Sequence, residues 1–506
     1  MIRHHSILII LLLSLTASTV RGQRFKHQAC TETAITRSSS PRTLSNLPTA
    51  IKNGGWDAQR TYRLPVVLME FSDQSFTIEK PQLFYDSLFN QRGFNKGHGP
   101  GCVADYFRDQ SGGLFNMKFD IIGPVRVNSS HRIDNSYNDG RPEVRQALAA
   151  CSDKLDDTAY DWDGDAYLEL VIVIFAGPGG NESAEECTGC LWPTMKYTSG
   201  TTPSGLKLTQ FSSSPERWSN GKSCGIGTIC HEFTHWLGLP DFYPSNEDGD
   251  YTVLDEWDLM DGGNFCDEGW CPPNFSVHEK EFVGWATPEE LTHTVSVSNM
   301  MSTHNGGRGY RIRPDLSNSA DEYYLLENRQ QKGWDYYLPG HGLLITHIDF
   351  NEASWYYSSV NNNKQHYRLQ YVSADNRDYT DYEQFYPQPA RWDAEGRSYW
   401  LTGTAYPYVT DTRVNRELTD TSTPASTLFN PNRNGKYLLS KPVMDIAEND
   451  GRISFFFADN NTAVGVGLPQ AEDGGHAIYD LAGRRLNGKA PRPGIYLSKG
   501  KKYIIK

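Results

Sequence analysis

His231-Glu232-Phe233-Thr234-His235-Trp236-Leu237-Gly238-Leu239-Pro240-Asp241 sets two imidazoles four residues apart, a carboxylate directly after the first, and then a glycine, a proline and a second carboxylate. On a helix, residues four apart share one face a turn apart, so His231 and His235 reach the same ion. Neutral imidazole is a common nitrogen ligand of zinc. Glu232 is rotated off that face but stays close enough to hydrogen-bond a water on the metal, the place of a general base rather than a ligand. Gly238 permits the left-handed turn that ends a helix, Pro240 forbids continuation, and the reversed chain returns Asp241 to the metal as a third ligand. The fourth position stays open for water, whose pKa zinc lowers to about 7. The pattern therefore implies hydrolytic chemistry. A bare His-Glu-x-x-His also occurs in ordinary helices, and the glycine and aspartate are what separate the two readings.

Downstream, Trp257-Asp258-Leu259-Met260-Asp261-Gly262-Gly263 has the form of a Met-turn, with Met260 as a hydrophobic floor supporting the ligand histidines. A core methionine filling a gap is its plain alternative. Asp255-Glu256 just before it keep a second assignment open, in which Glu256 replaces Asp241 as a distant acidic ligand of thermolysin-like type.

These residues resemble the immune-inhibitor-A-like secreted metallopeptidases, relatives of the metzincins with the pattern His-Glu-x-x-His-x-x-Gly-x-Pro-Asp. LPVVLMEF at 64–71 followed by Ser72-Asp73 is similar to the family's first strand, and Asp105-Tyr106-Phe107 through Ser111-Gly112-Gly113 to its next helix and turn. EKEFVGW at 279–285 resembles the helix closing the catalytic domain; LLENR at 325–329 and GLLITHID at 342–349 resemble strands beyond it. The likeness covers most of residues 60–375. It implies a zinc endopeptidase acting on protein or peptide, with His231, His235 and Asp241 as ligands and Glu232 as base. The implied fold is an α/β (α+β) metzincin-like zinc metallopeptidase domain with a twisted mixed sheet, followed by a β-rich domain and a small β tail.

The N-terminus agrees with export: Met1-Ile2-Arg3-His4-His5, a short apolar run to Leu15, then small and polar residues to Gly22 form a secretory signal. The run is too short for a comfortable membrane span, and no later stretch reaches that length, so the mature form is expected without a transmembrane segment. A membrane anchor is the alternative for the first segment. Residues 23–57, rich in Ser, Thr, Arg and Pro, resemble a propeptide. Nine cysteines in an exported chain favour disulfides, and the single Cys187-x-x-Cys190 lacks the second pair of a zinc ribbon. One cysteine is left over; Cys30 is either a thiolate covering the open zinc position before activation or an incidental free thiol.

Buried-strand patterns at 64–71 and 168–175 (LELVIVIF) alternate with helical candidates at 82–90, 103–110, 142–155 and 225–237, which places an α/β catalytic domain at 58–300. Short alternating segments rich in Tyr, Trp, Asn and Gly then predict a β-rich domain at 301–460, unless the boundary near 300 is internal to a single compact body. Within the first domain, Asp161, Asp163, Asp165, Tyr167 and Glu169 put oxygen ligands at alternate positions, the spacing of a short calcium loop. Ala166 stands where an EF-hand carries glycine, and the alternative is a solvated acidic turn. The tail 461–506 reads as three short strands and resembles the sorting domains of the type IX export route; an ordinary small β module is the other reading.

A net charge of −13 with no concentrated basic stripe argues against a nucleic-acid partner. The rival function is a protease-like binding or adhesion protein without catalysis, against which the intact Glu232 speaks.

Overall fold

In the strand Thr61–Glu70 (β1), consecutive apolar residues serve two cores, because successive side chains on a strand point to opposite faces. Tyr62, Leu64, Val66 and Leu68 pack with Ile229, Phe233 and Trp236, whereas Val67 and Met69 pack on the other face with Val144, Ala147 and Leu148. The computed structural model describes residues 51, 55–94, 99–132, 139–182, 184–246, 252–378, 397 and 401–459, and the strand backbones of the tail. The expected signal, Cys30 and most of the propeptide-like segment lie outside the described residues.

The first sheet also contains Asn116–Arg126 (β2), Tyr167–Leu168 (β3), Val171–Pro178 (β4), Thr194–Thr201 (β5) and Lys207–Arg217 (β6). Its order is β2-β1-β4-β6-β3, with β5 also paired to β6. All pairs are parallel except β5 with β6, so the sheet is mixed, and helices cover both faces, as parallel strands require. The helices are Pro81–Asn90 (α1), Val103–Gln110 (α2), Arg141–Ala150 (α3) and Gly227–Trp236 (α4). The single strand expected at 168–175 is two. Its break falls at Glu169, whose carboxylate accepts from the Trp162 amide at 3.2 Å and whose carbonyl accepts from Trp236 Nε1 at 3.0 Å, so this stretch turns toward α4 instead of pairing.

Beyond Val277–Phe282 (α5) come Glu289–Glu290 (β7), Val295–Met300 (β8), Tyr310–Ile312 (β9), Asp321–Arg329 (β10), Gly342–Phe350 (β11), the short helix Glu352–Tyr356 (α6) and Leu369–Tyr371 (β12). A second sheet runs β12-β11-β10-β9-β7, and Val443–Asn449 (β15) and Arg452–Phe457 (β16) join β8 in a third; Tyr408–Val409 (β13) and Val414–Asn415 (β14) pair separately. Strand β10 again alternates: Tyr323 and Leu325 enter the core that contains α4, while Tyr324 and Leu326 enter the core built with the third sheet. The residues after 300 thus pack directly onto the layer that contains α4.

The chain divides into compact units at Asp459 and Asn460. Among its described residues the second holds four short strands, Ile478–Tyr479 (β17), Arg485–Leu486 (β18), Gly494–Ser498 (β19) and Lys501–Ile505 (β20), in the antiparallel order β18-β17-β19-β20. That is one strand more than its turn pattern predicts. The disulfide expectation is corrected among the described residues: Cys102, Cys151, Cys187, Cys190, Cys224, Cys230, Cys266 and Cys271 are all buried free thiols. Burial pushes their pKa values up, to about 12 for Cys102 and Cys187, so they behave as small apolar core residues rather than thiolates.

Candidate metal centre

Helix α4 is buried along its whole length. Its start can press against the segment 262–269 only because Gly227 lacks a side chain; a Cβ there would collide with the Asn264 carbonyl. Its end is a Schellman motif. The Gly238 amide donates to the His235 carbonyl at 2.9 Å and the Leu239 amide to the Thr234 carbonyl at 3.3 Å, with Gly238 at φ +98°. The reversed chain then brings Asp241 back beneath the helix.

Three side chains converge there. Asp241 Oδ1 lies 3.3 Å from His231 Nε2 and 3.2 Å from His235 Nε2, and the aspartate is fully buried. His231 Nδ1 contacts the Leu259 carbonyl and His235 Nδ1 the Leu239 carbonyl, each at 2.9 Å. A carbonyl only accepts, so both Nδ1 atoms carry the proton and both Nε2 atoms present lone pairs. Those lone pairs face a carboxylate oxygen, and neither His235 Nε2 nor Asp241 Oδ1 has a hydrogen-bond partner among the described residues. Three acceptors directed at one point inside a protein are costly unless a cation sits between them. Two imidazole nitrogens and one carboxylate oxygen suit a catalytic zinc site.

The rest of the shell was expected only in part. The Asp258-Leu259-Met260 turn supplies the carbonyl that orients His231, and Met260 is fully buried in the core with α4. The Met260 carbonyl accepts from the Phe242 amide at 2.9 Å, tying the turn to the chain that carries Asp241. Tyr243 stacks on the His231 ring at 6.4 Å between centroids and 15° between planes. Ser358 was not foreseen. Its hydroxyl accepts from the Asp241 amide at 3.0 Å and lies 3.5 Å from Asp241 Oδ2, across 117 residues, at a strained φ of +49°. A lone serine after a short helix carries no motif, and the carbonyls of Leu239 and Leu259 carry no side-chain signal.

Glu232 is buried one position after His231 on α4. Glu256 sits half-buried in the single turn Asp255–Trp257 and is outside the group formed by His231, His235 and Asp241. Asp241→Ala is expected to weaken zinc binding by more than the roughly 10–100-fold that loss of an outer partner costs, while Glu256→Ala keeps it; zinc titration against a chelator checks this, and the reverse ranking would move the third ligand to Glu256.

Of the calcium candidates, Asp161, Asp163 and Glu169 converge. Asp165 Oδ1 instead accepts from the Tyr167 amide at 2.9 Å, and the Tyr167 side chain is exposed. Asp161 accepts from the amides of Gly164 and Ala166 at 2.7 and 2.9 Å, and Ala166 takes φ +67°, where an EF-hand loop places glycine. The loop backs onto α4, since Trp162 meets Trp236 edge-on at 5.4 Å.

A mixed α/β domain holding an N,N,O donor set at the end of a buried helix has the organisation of a metallopeptidase catalytic domain. Residues 196–287 match the model of the immune inhibitor A peptidase M6 catalytic domain, so the stretch containing the centre is immune-inhibitor-A-like. The chain is 25% identical over 277 residues to immune inhibitor A of Bacillus thuringiensis subsp. alesti, covering 44% of this chain and 39% of that protein. It is 21% identical over 283 residues to the pre-pro-metalloprotease PrtV of Vibrio cholerae serotype O1 (strain M66-2), covering 47% and 30%. The alignments thus span well under half the length of these relatives. Among the described residues no helix is long and apolar enough to cross a membrane.

Proposed function

We propose that this protein is a secreted zinc endopeptidase that hydrolyses peptide bonds in protein substrates. The observation that carries the reading is the convergence of His231 Nε2, His235 Nε2 and Asp241 Oδ1 on one buried point, with Glu232 on the same helix. When bound, zinc supplies Lewis-acid activation of water and of the scissile carbonyl. Glu232 accepts the proton of the attacking water on its carboxylate and delivers it to the leaving amine. The Leu239 and Leu259 carbonyls hold the two imidazoles in the tautomer that leaves Nε2 basic.

The leader pattern at 1–22 supports export, 23–57 serves as a propeptide, and 461–506 as a sorting tail that attaches or releases the protein at the cell surface. Mass spectrometry of a proteome-derived peptide library, incubated with the mature protein with and without a zinc chelator, tests the function. Chelator-sensitive internal cleavage is expected; a library left intact in both arms would favour the binding-protein reading.

Calcium at Asp161, Asp163 and Glu169 is the second metal of this reading. Burial, with Asp163, Asp165 and Asp161 adding to it, pushes Glu169 up from 4.5 to about 8. The ion-free fold therefore favours a protonated Glu169: that contribution is full below pH 4.5 and is lost as pH rises through 8. A bound cation compensates the charge, so calcium should raise the melting temperature more at pH 8 than at pH 5, and Asp163→Ala should abolish the difference. Identical melting in calcium and in chelator at pH 8 would reject the site.

A further inference from the structure

Behind the Leu259-Met260 turn lies a cavity of about 10 Å³, lined among others by Asp258, Ser276, His278, Glu327, Thr346 and Tyr371. This is room for one water molecule. Two of the lining residues carry buried polar atoms with no hydrogen-bond partner among the described residues, His278 Nδ1 and the Tyr371 hydroxyl. His278 Nε2 accepts from Trp355 Nε1 at 3.3 Å, so Nδ1 bears the ring proton and is a donor in need of an acceptor. Burial, reinforced by Arg311, holds this imidazole neutral by pushing its pKa down to about 3. The phenol can both donate and accept, and burying either group unsatisfied is costly.

Asp258 connects this cavity to the metal centre. It is 1% exposed, and its Oδ1 accepts from the Met260 amide at 2.9 Å across Leu259, whose carbonyl orients His231. Its backbone carbonyl accepts from the Gly263 amide at 2.8 Å, closing the turn on its other side. Burial and then Glu279 push the Asp258 carboxyl well above the usual range, so it keeps a proton and has a hydrogen of its own to place.

We propose that one resident water, hydrogen-bonded to His278 Nδ1–H, the Tyr371 hydroxyl and the Asp258 carboxyl, braces the Leu259 turn and makes Asp258 a positioning residue for the metal ligand His231. The water satisfies a donor on α5 and a hydroxyl on β12 in the same step, so the second sheet contributes to the rigidity of the centre without touching the metal. This inference rests on the zinc reading above.

The test uses the full chain and zinc alone. Zinc dissociation constants are measured by chelator competition for the parent, Asp258→Ala, Asp258→Asn and Tyr371→Phe, and the parent cavity is inspected in a high-resolution crystal structure. Asp258→Ala should weaken zinc binding about 10–100-fold, the range for loss of an outer partner. Asp258→Asn, which keeps an oxygen for the Met260 amide and a donor for the water, should restore near-parental affinity. Tyr371→Phe removes one hydrogen bond and should cost about two- to tenfold. An ordered water within hydrogen-bond distance of the three groups is expected. A dry cavity, or parental zinc affinity in both Asp258→Ala and Tyr371→Phe, overturns the brace, and if Asp258→Ala does not fold, Tyr371→Phe alone decides. A parent that takes up no zinc fails the metal reading itself, which distinguishes that failure from this one.

Discussion

Glu232→Gln is expected to keep the fold and bind zinc as the parent does, yet to cleave peptides about 100- to 10,000-fold more slowly, the contribution of a positioned general base. Glutamine preserves the shape and an oxygen acceptor but cannot take up a proton at neutral pH, so substrate binding should change little and the loss should fall on kcat. Because Glu232 lies outside the His231, His235 and Asp241 donor set, zinc content separates this variant from a ligand variant. Measuring zinc stoichiometry and single-turnover cleavage on the same preparation makes the comparison. Parental cleavage by the zinc-loaded variant would remove Glu232 from the mechanism, and loss of zinc would make it a ligand.

The elements around His231, His235 and Asp241 are the most legible in the sequence, because their signals are local. Gly238 and Pro240 announced the end of α4, and the structure gives that end as a Schellman motif with Gly238 at φ +98°. Helix α2 has the predicted limits, since its apolar positions recur at helical spacing. Where long-range contacts decide, the pattern failed. LELVIVIF reads as one strand, but the pull of Trp162 and Trp236 on Glu169 splits it. Export into an oxidising compartment, as the N-terminal pattern implies, predicts disulfides, whereas the eight described cysteines fill apolar positions as thiols. The aromatic strands after 300 read as an all-β unit from their period, which leaves open whether the boundary near 300 lies inside one compact body; alternate residues of β10 enter the core of α4. Ser358 carries no local signal as a neighbour of Asp241, because the Asp241 amide reaches its hydroxyl across 117 residues only in the fold.

Arg329 shows how that second sheet is fastened to the layer containing α4 and α5, and its loss should have the largest effect on stability. The side chain is fully buried at the end of β10. Its Nε and Nη2 bond both oxygens of Asp335 at 2.9 and 2.6 Å, and Nη2 also reaches the Asn274 carbonyl at 3.1 Å. Glu327 Oε1 lies 3.5 Å from Nη1, while its other oxygen accepts from the Val277 amide at 2.9 Å at the start of α5. One guanidinium therefore compensates two carboxylates and holds the chain that leads from the metal centre into α5. Arg329→Met leaves Asp335 and Glu327 charged and buried, which costs about 3–5 kcal/mol when a buried pair loses one partner. The urea midpoint should fall accordingly. Adding Asp335→Leu should recover part of the loss, because replacing both partners by apolar groups removes the stranded charge. If Arg329→Met alone unfolds at the parental urea concentration, this network contributes nothing to stability. If it is destabilised as expected, zinc affinity measured below the new transition tells whether the damage stays in the fastening or reaches His231 through the 258–263 turn.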